Sequence, residues 1–167
     1  MSKINDKFYL FANWKMYLDH DESVVMAGAL KKEAGKFTDK IKMTLFPSVL
    51  ALNDVAKEIE GAELGIGAQN VYWVEKGGYT GEVSASMVKA VGADYCLVGH
   101  SERRHLFGET MHQTRQKIES ALAVGLTPVL CVGEKTEEKS AGKTLAIVEE
   151  QLRAALERPP EEYRPAQ

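Results

Sequence analysis

Short apolar runs alternate with longer segments of helical period along this chain. "FYLFANW" (residues 8–14) reads as a strand, and residues 23–36 as a helix capped by Ser23. "IKMTLF" is the second strand, stopped by Pro47, and residues 49–59 are helical with Gly61 just past their end. "LGIGAQN" (64–70) is a third, glycine-rich strand. A long loop, "VYWVEKGGYTGEV", leads to the helix "SASMVKAVG". "DYCLVG" is the fourth strand; it runs into "HSERRHLFGE" and a helix over about 110–124. "LTPVLCVG" is the fifth, and a last helix falls within 144–156. The tail "ERPPEEYRPAQ" is polar and broken by prolines.

Strand–helix alternation repeated five times predicts α/β architecture, with a parallel sheet and right-handed crossovers. The strands are continuous apolar runs rather than apolar/polar alternations, which predicts a sheet covered on both faces. No linker or shift of composition divides the chain, so residues 1–167 are expected to form a single domain.

Composition narrows the function more than the fold. The 167 residues are 44% apolar and 27% charged, within the globular range. Lysine and arginine count 21 against 24 acids, a net charge of -3, which offers no attraction for nucleic acid or an anionic membrane. Cys96 and Cys131 both lie in apolar runs and are expected to be buried, reduced strand residues; no disulfide framework or metal-ligand set is expected. No cofactor motif stands out. The N-terminus lacks a signal-peptide pattern, and no run approaches the roughly 18 apolar residues of a membrane span, so the cytoplasm is the expected location.

Ligands of such sheets collect at the C-terminal ends of the strands. The candidates there are Asn13, Lys15, Gln69, Asn70, Gly99, His100 and Glu134. A lysine after a strand is usually solvated and a histidine usually caps or packs. On one rim, however, the two together could polarise an oxygen of a small anionic molecule. In "CLVGHSERR" a strand ends in Gly-His just before a helix, an unfavourable place for an imidazolium and a good one for a neutral histidine. "SAGKT" is not a phosphate-cradling loop, since the glycine that such a loop needs is Glu137 here. "GGYTGE" follows no strand directly and reads as a flexible loop unless Tyr79 docks into a partner.

"NWKM", "QNVYW", "YTGE", "GHSERR" and "CVGE", in that order and spacing, resemble the triosephosphate isomerase family along essentially the whole chain. The resemblance implies a TIM-type (β/α) barrel and interconversion of dihydroxyacetone phosphate and glyceraldehyde 3-phosphate, in glycolysis and gluconeogenesis. It implies Lys15 as the cation that binds substrate and steadies developing negative charge, with Asn13 beside it. His100 would polarise the carbonyl and shuttle protons, its neutrality being a tuning already known for that family. Ser101 and Glu102 would support the site, and Cys131 and Glu134 match supporting positions. Tyr79 and Thr80 would lie on the loop that enters a neighbouring subunit.

A full barrel has eight strands in about 250 residues, whereas this sequence holds five strand–helix units. The expected fold is therefore an incomplete TIM-type barrel, a single truncated domain. The family's segment resembling "AYEPVW", which bears the catalytic glutamate, is not in the sequence, nor are the lid and the phosphate-gripping loops. The isolated chain is expected to lack activity, since a general base alone is worth about 10²–10⁴-fold. It is also expected to form a homo-oligomer through open strand edges and the Tyr79/Thr80 loop. The alternatives are a fragment completed in trans by a second chain, or a non-catalytic oligomeric scaffold.

Overall fold

Five strands pair in sequence order, β1-β2-β3-β4-β5, and every neighbouring pair is parallel. The computed structural model describes residues 8–36 and 41–157. Within them lie β1 (Phe8–Asn13), α1 (His20–Ala34), β2 (Ile41–Phe46), α2 (Leu52–Glu58), β3 (Leu64–Ala68) and α3 (Ala85–Ala90). There follow β4 (Tyr95–Val98), α4 (Ser101–Leu106), α5 (Met111–Ala123), β5 (Thr127–Leu130), α6 (Thr136–Ser140) and α7 (Thr144–Leu156). The result is a curled half-barrel with helices on its convex side, five β/α units of a TIM-type barrel.

Side chains alternate between the two faces of a strand, and each face has its own core. Met43, Leu45, Ile66, Ala68, Cys96 and Val98 pack outward against Ala27, Val55, Val88, Ile118, Ala121 and Ala155, mostly from the helices. Phe46, Tyr95 and Leu97 form the concave cluster, with Val129 and Cys131 beside them. Phe11 joins it, its ring centroid 5.7 Å from those of both Phe46 and Tyr95.

The glycines of β3 permit this curl. A Cβ on Gly67 would run into the Phe46 ring and approach the Tyr95 Cβ at 3.0 Å. The aromatic floor thus occupies the volume that a side chain there would need.

Coverage on both faces holds for the central strands and fails at β1. Phe8, Tyr9 and Leu10 are 73%, 53% and 51% exposed, because among the described residues β1 is an outer strand with a neighbour on one side only.

Several expected boundaries shift for local reasons. Helix α1 starts at His20, not Ser23: Asp19 accepts from the Glu22 backbone N–H and Glu22 reciprocates, a capping box that extends the helix past its apolar period. Ser23 is buried, its hydroxyl donating to the Asp19 carbonyl. Val49 and Leu50 precede α2 in a turn, and β3 stops at Ala68 rather than 70. Cys96 is buried in β4, but Cys131 lies one residue beyond β5 and is only half-buried. Helices α4 and α6 have no apolar period, and the short α6 was not expected. The polar tail 158–167 lies outside the described residues.

Candidate active site

The loop after β1 is shaped by its own asparagine. Asn13 Oδ1 accepts from the Lys15 backbone N–H at 2.9 Å, and Lys15 takes a φ of 53°, a left-handed conformation that costs a non-glycine residue. This turn ends β1 at Asn13 instead of Trp14. Gln69, just past β3, then donates to two backbone carbonyls, Lys15 O and Phe46 O, both at 2.9 Å. The ends of β1, β2 and β3 are thereby tied together, and Lys15 is presented from a constrained backbone.

Lys15 Nζ donates to Glu102 Oε1 at 2.9 Å. That hydrogen bond raises the Lys15 pKa above its ordinary value and lowers that of Glu102. Both side chains are about two-fifths exposed, so the pair orients more than it stabilises.

His100 follows β4 and caps α4, its Nδ1 accepting from the Glu102 backbone N–H at 3.4 Å. Glu102 Oε2 stands at 3.5 Å from the same nitrogen, while the other oxygen, Oε1, takes Lys15. The helix backbone fixes the amide, whereas the carboxylate sits on a side chain about two-fifths exposed. An amide can only donate, so Nδ1 is the acceptor in this hydrogen bond, and a neutral ring making it carries its proton on Nε2.

Asn13, Lys15, Gln69, Asn70, His100 and Glu102 line one cavity of about 430 Å³ at the C-terminal ends of the strands. Its outer rim is apolar: Met16 and Tyr17 from the first loop, Leu106 and Phe107 from the end of α4. An ammonium and an imidazole N–H on one cavity can attract a small anion and donate hydrogen bonds to a carbonyl or enolate oxygen. Glu102 is the only carboxylate among the described residues that line it, and Lys15 holds it.

Other rim candidates stand apart. Gly99 and Ser101 line a smaller cavity of about 240 Å³, shared with Cys131 and the far side of His100. Glu134, expected on the same rim, lines neither of these cavities: its Oε1 accepts from the Thr144 hydroxyl at 3.0 Å, turning it toward α7. A local backbone hydrogen bond and that hydroxyl lower its pKa. Tyr79 packs on Tyr72 with ring centroids 4.8 Å apart, and Tyr72 N–H donates to Val83 O at 2.8 Å. The loop read as flexible is thus pinned at its base and its tip. Among the described residues no group of three or more metal-ligating side chains gathers.

A buried network beneath the cavity escaped the sequence reading. Glu109 receives Lys117 Nζ at 2.6 Å, Arg103 Nε at 2.7 Å, Gly99 N–H at 3.2 Å and the Thr114 hydroxyl at 3.3 Å. Lys117 also donates to Asn70 Oδ1 at 2.8 Å. Desolvation lowers the Lys117 pKa against the opposing pull of Glu109, and the lysine and arginine hold Glu109 below the ordinary carboxylate range despite its burial. A signal was present: Lys117 falls on the stripe Thr114, Lys117, Ile118, Ala121, the buried face of α5.

Five parallel strands paired in sequence order, curled with their helices outside, define a TIM-barrel-type fold, with Lys15 and His100 on its C-terminal rim. The model of the triosephosphate isomerase family matches residues 8–165, and the chain belongs to that family. It is 40% identical over 144 residues to the triosephosphate isomerase of Thermoanaerobacter sp. (strain X514), covering 86% of this chain and 57% of that protein. It is 38% identical over 150 residues to that of Picosynechococcus sp., covering 90% and 62%. With the Clostridium perfringens (strain 13) enzyme the identity is 39% over 148 residues, covering 87% and 58%. The chain thus spans about three-fifths of the length of these relatives. No helix among the described residues is long and apolar enough to cross a membrane.

Proposed function

We propose that this chain carries the carbonyl-polarising half of a triosephosphate isomerase site, within a single domain. The observation that carries the reading is that Lys15 and His100, 85 positions apart in sequence, line one cavity with Asn13 and Glu102. Lys15 attracts the phosphorylated triose and steadies charge developing on its oxygen. The Nε2–H of His100 donates to the same oxygens and passes protons between them. Glu102 keeps Lys15 in place, and Asn13 holds the loop that presents it. Ser101 supports the first turn of α4 from the neighbouring cavity.

The isomerisation also needs a base to remove a carbon-bound proton. Glu102 is paired to Lys15, and Glu134 faces Thr144. No other carboxylate in the described cavity is free for that task, so the chain by itself is expected to bind triose phosphate without measurable turnover. Completion in trans by a chain that supplies the base is the second reading. It is favoured by the outer strand β1, whose exposed Phe8, Tyr9 and Leu10 offer an edge and apolar surface for further strands. A homo-oligomer through the same edges or the Tyr79/Thr80 loop, and a cytoplasmic location, fit a glycolytic role.

The test is titration of the purified chain with dihydroxyacetone phosphate, run beside a coupled isomerase assay. Binding that Lys15→Met abolishes, without turnover, is the expected result. Equal binding by the wild-type chain and Lys15→Met would sink the reading. Turnover lost in His100→Gln would show that another carboxylate serves as base.

A further inference from the structure

We propose that Glu109 is a positioning residue for this cavity, acting through Gly99, Arg103 and Lys117 to set how His100 and Asn70 face the same space. The inference rests on the functional reading above, in that the cavity is the one where substrate would bind.

The geometry is that of a buried node joining four elements. Glu109 is 7% exposed and Lys117 is 2% exposed, so water does little to relieve either charge. One Glu109 oxygen takes both cations, Lys117 and Arg103; the other takes the Gly99 N–H and the Thr114 hydroxyl. Gly99 immediately precedes His100, and its φ of 70° sets the angle at which the chain leaves β4. Arg103 lies on α4, whose first turn His100 caps. Its neighbour Arg104 donates to the Gly99 carbonyl at 2.6 Å, which closes the same turn from the other side.

Lys117 extends the node to β3 by donating to Asn70 Oδ1. An asparagine amide with its oxygen held this way turns its NH2 to the opposite side. Because the lysine has a single ammonium to share, moving Glu109 would move both the β4 turn and the Asn70 amide. A buried ion pair contributes little net stability once desolvation is counted, but it fixes a relative placement wherever its hydrogen bonds are all made.

The readout is the pair of ring-nitrogen resonances of His100 in chain labelled with 15N-histidine, assigned by their loss in His100→Gln. In the wild-type chain the two resonances should be widely split, one protonated and one bare, as the Glu102 amide dictates. In Glu109→Gln and in Lys117→Met the splitting should shrink toward a tautomer average. Should a single variant fail to fold, the double variant Glu109→Gln/Lys117→Met, which removes both fully buried charges and leaves only the half-buried Arg103 without its carboxylate, carries the test. Val55→Ala, a cavity in the α2 core outside this network, controls for loss of stability alone and should leave the splitting unchanged.

A wild-type His100 already averaged would overturn the proposal. So would unchanged splitting in the folded Glu109 variants, or an equal change in Val55→Ala. No substrate enters this measurement. A failure to bind dihydroxyacetone phosphate would sink the functional reading and leave this result standing; an unchanged His100 signature sinks only the positioning role.

Discussion

Lys15 and Glu102 meet at 2.9 Å across 87 positions of sequence, joining the loop after β1 to the first turn of α4. Their pKa shifts point in opposite directions, as a hydrogen-bonded ion pair requires. The raised Lys15 value means that its contribution is complete below its ordinary 10.5 and fades as pH climbs through the raised value. The lowered Glu102 value means that its contribution is complete above its ordinary 4.5 and fades as pH falls through the lowered one. The Lys15 ammonium should therefore titrate later in the wild-type chain than in Glu102→Gln, read by NMR of side-chain 15N-labelled lysine. Identical titrations would show that the pair does not persist in solution.

His20 joins α1 to α2, its Nδ1 2.8 Å from Asp21 and its Nε2 3.0 Å from Asp54. Lys57 also reaches Asp54, at 3.2 Å. The two carboxylates raise the His20 pKa above 6.5, so the stabilisation is complete below that pH and is lost as pH rises through the raised value. Thermal midpoints of the wild-type chain and His20→Gln should converge as pH rises past neutrality. The imidazole is about half exposed, so the gap at low pH is small and is best read at low salt.

Glycine is required at position 99 and dispensable at 35. Gly99 has a φ of 70°, and a Cβ there would clash with the Arg104 guanidinium and meet Thr114 Cγ2 at 3.0 Å. The left-handed conformation alone costs an alanine roughly 1–2 kcal/mol, and the crowding adds to it. Gly35 has a φ of -66° with nothing within 4 Å of the added carbon. Urea unfolding should show Gly99→Ala destabilised by about 2 kcal/mol or more, and Gly35→Ala neutral or stabilised by about 0.4–1 kcal/mol.

Gln151 forms a two-way bond from α7 to the loop after β5, donating to Gly133 O and accepting from Gly133 N–H, both at 2.9 Å. Methionine has a similar shape and restores neither bond, so the loop's peptide groups lose their partner. Gln151→Met should lose about 1–3 kcal/mol in urea unfolding, and the Gly133 amide should exchange faster with solvent. Unchanged exchange would mean that water replaces the glutamine without cost.

The site was legible where a strand ended in an unusual residue. Asn13, Lys15 and His100 stand directly after apolar runs, so position alone put them on the C-terminal rim. Glu134 follows β5 in the same way and still faces α7, because the Thr144 hydroxyl was an acceptable partner that strand order cannot reveal. Glu109 and Lys117 were passed over because a charged residue within a polar stretch ordinarily belongs to a solvated face. Only the convergence of β3, β4, α4 and α5 gives those charges buried partners.

The sequence by itself determined the five β/α units, their parallel order and the rim positions of Lys15 and His100, because strand and helix periods and the residues closing each strand are local properties. The choice of partners was left to the tertiary structure. Which rim residues share a cavity, and which charges can be buried, depends on distances between segments tens of residues apart. Those distances exist only once the sheet has curled around Phe46 and Tyr95.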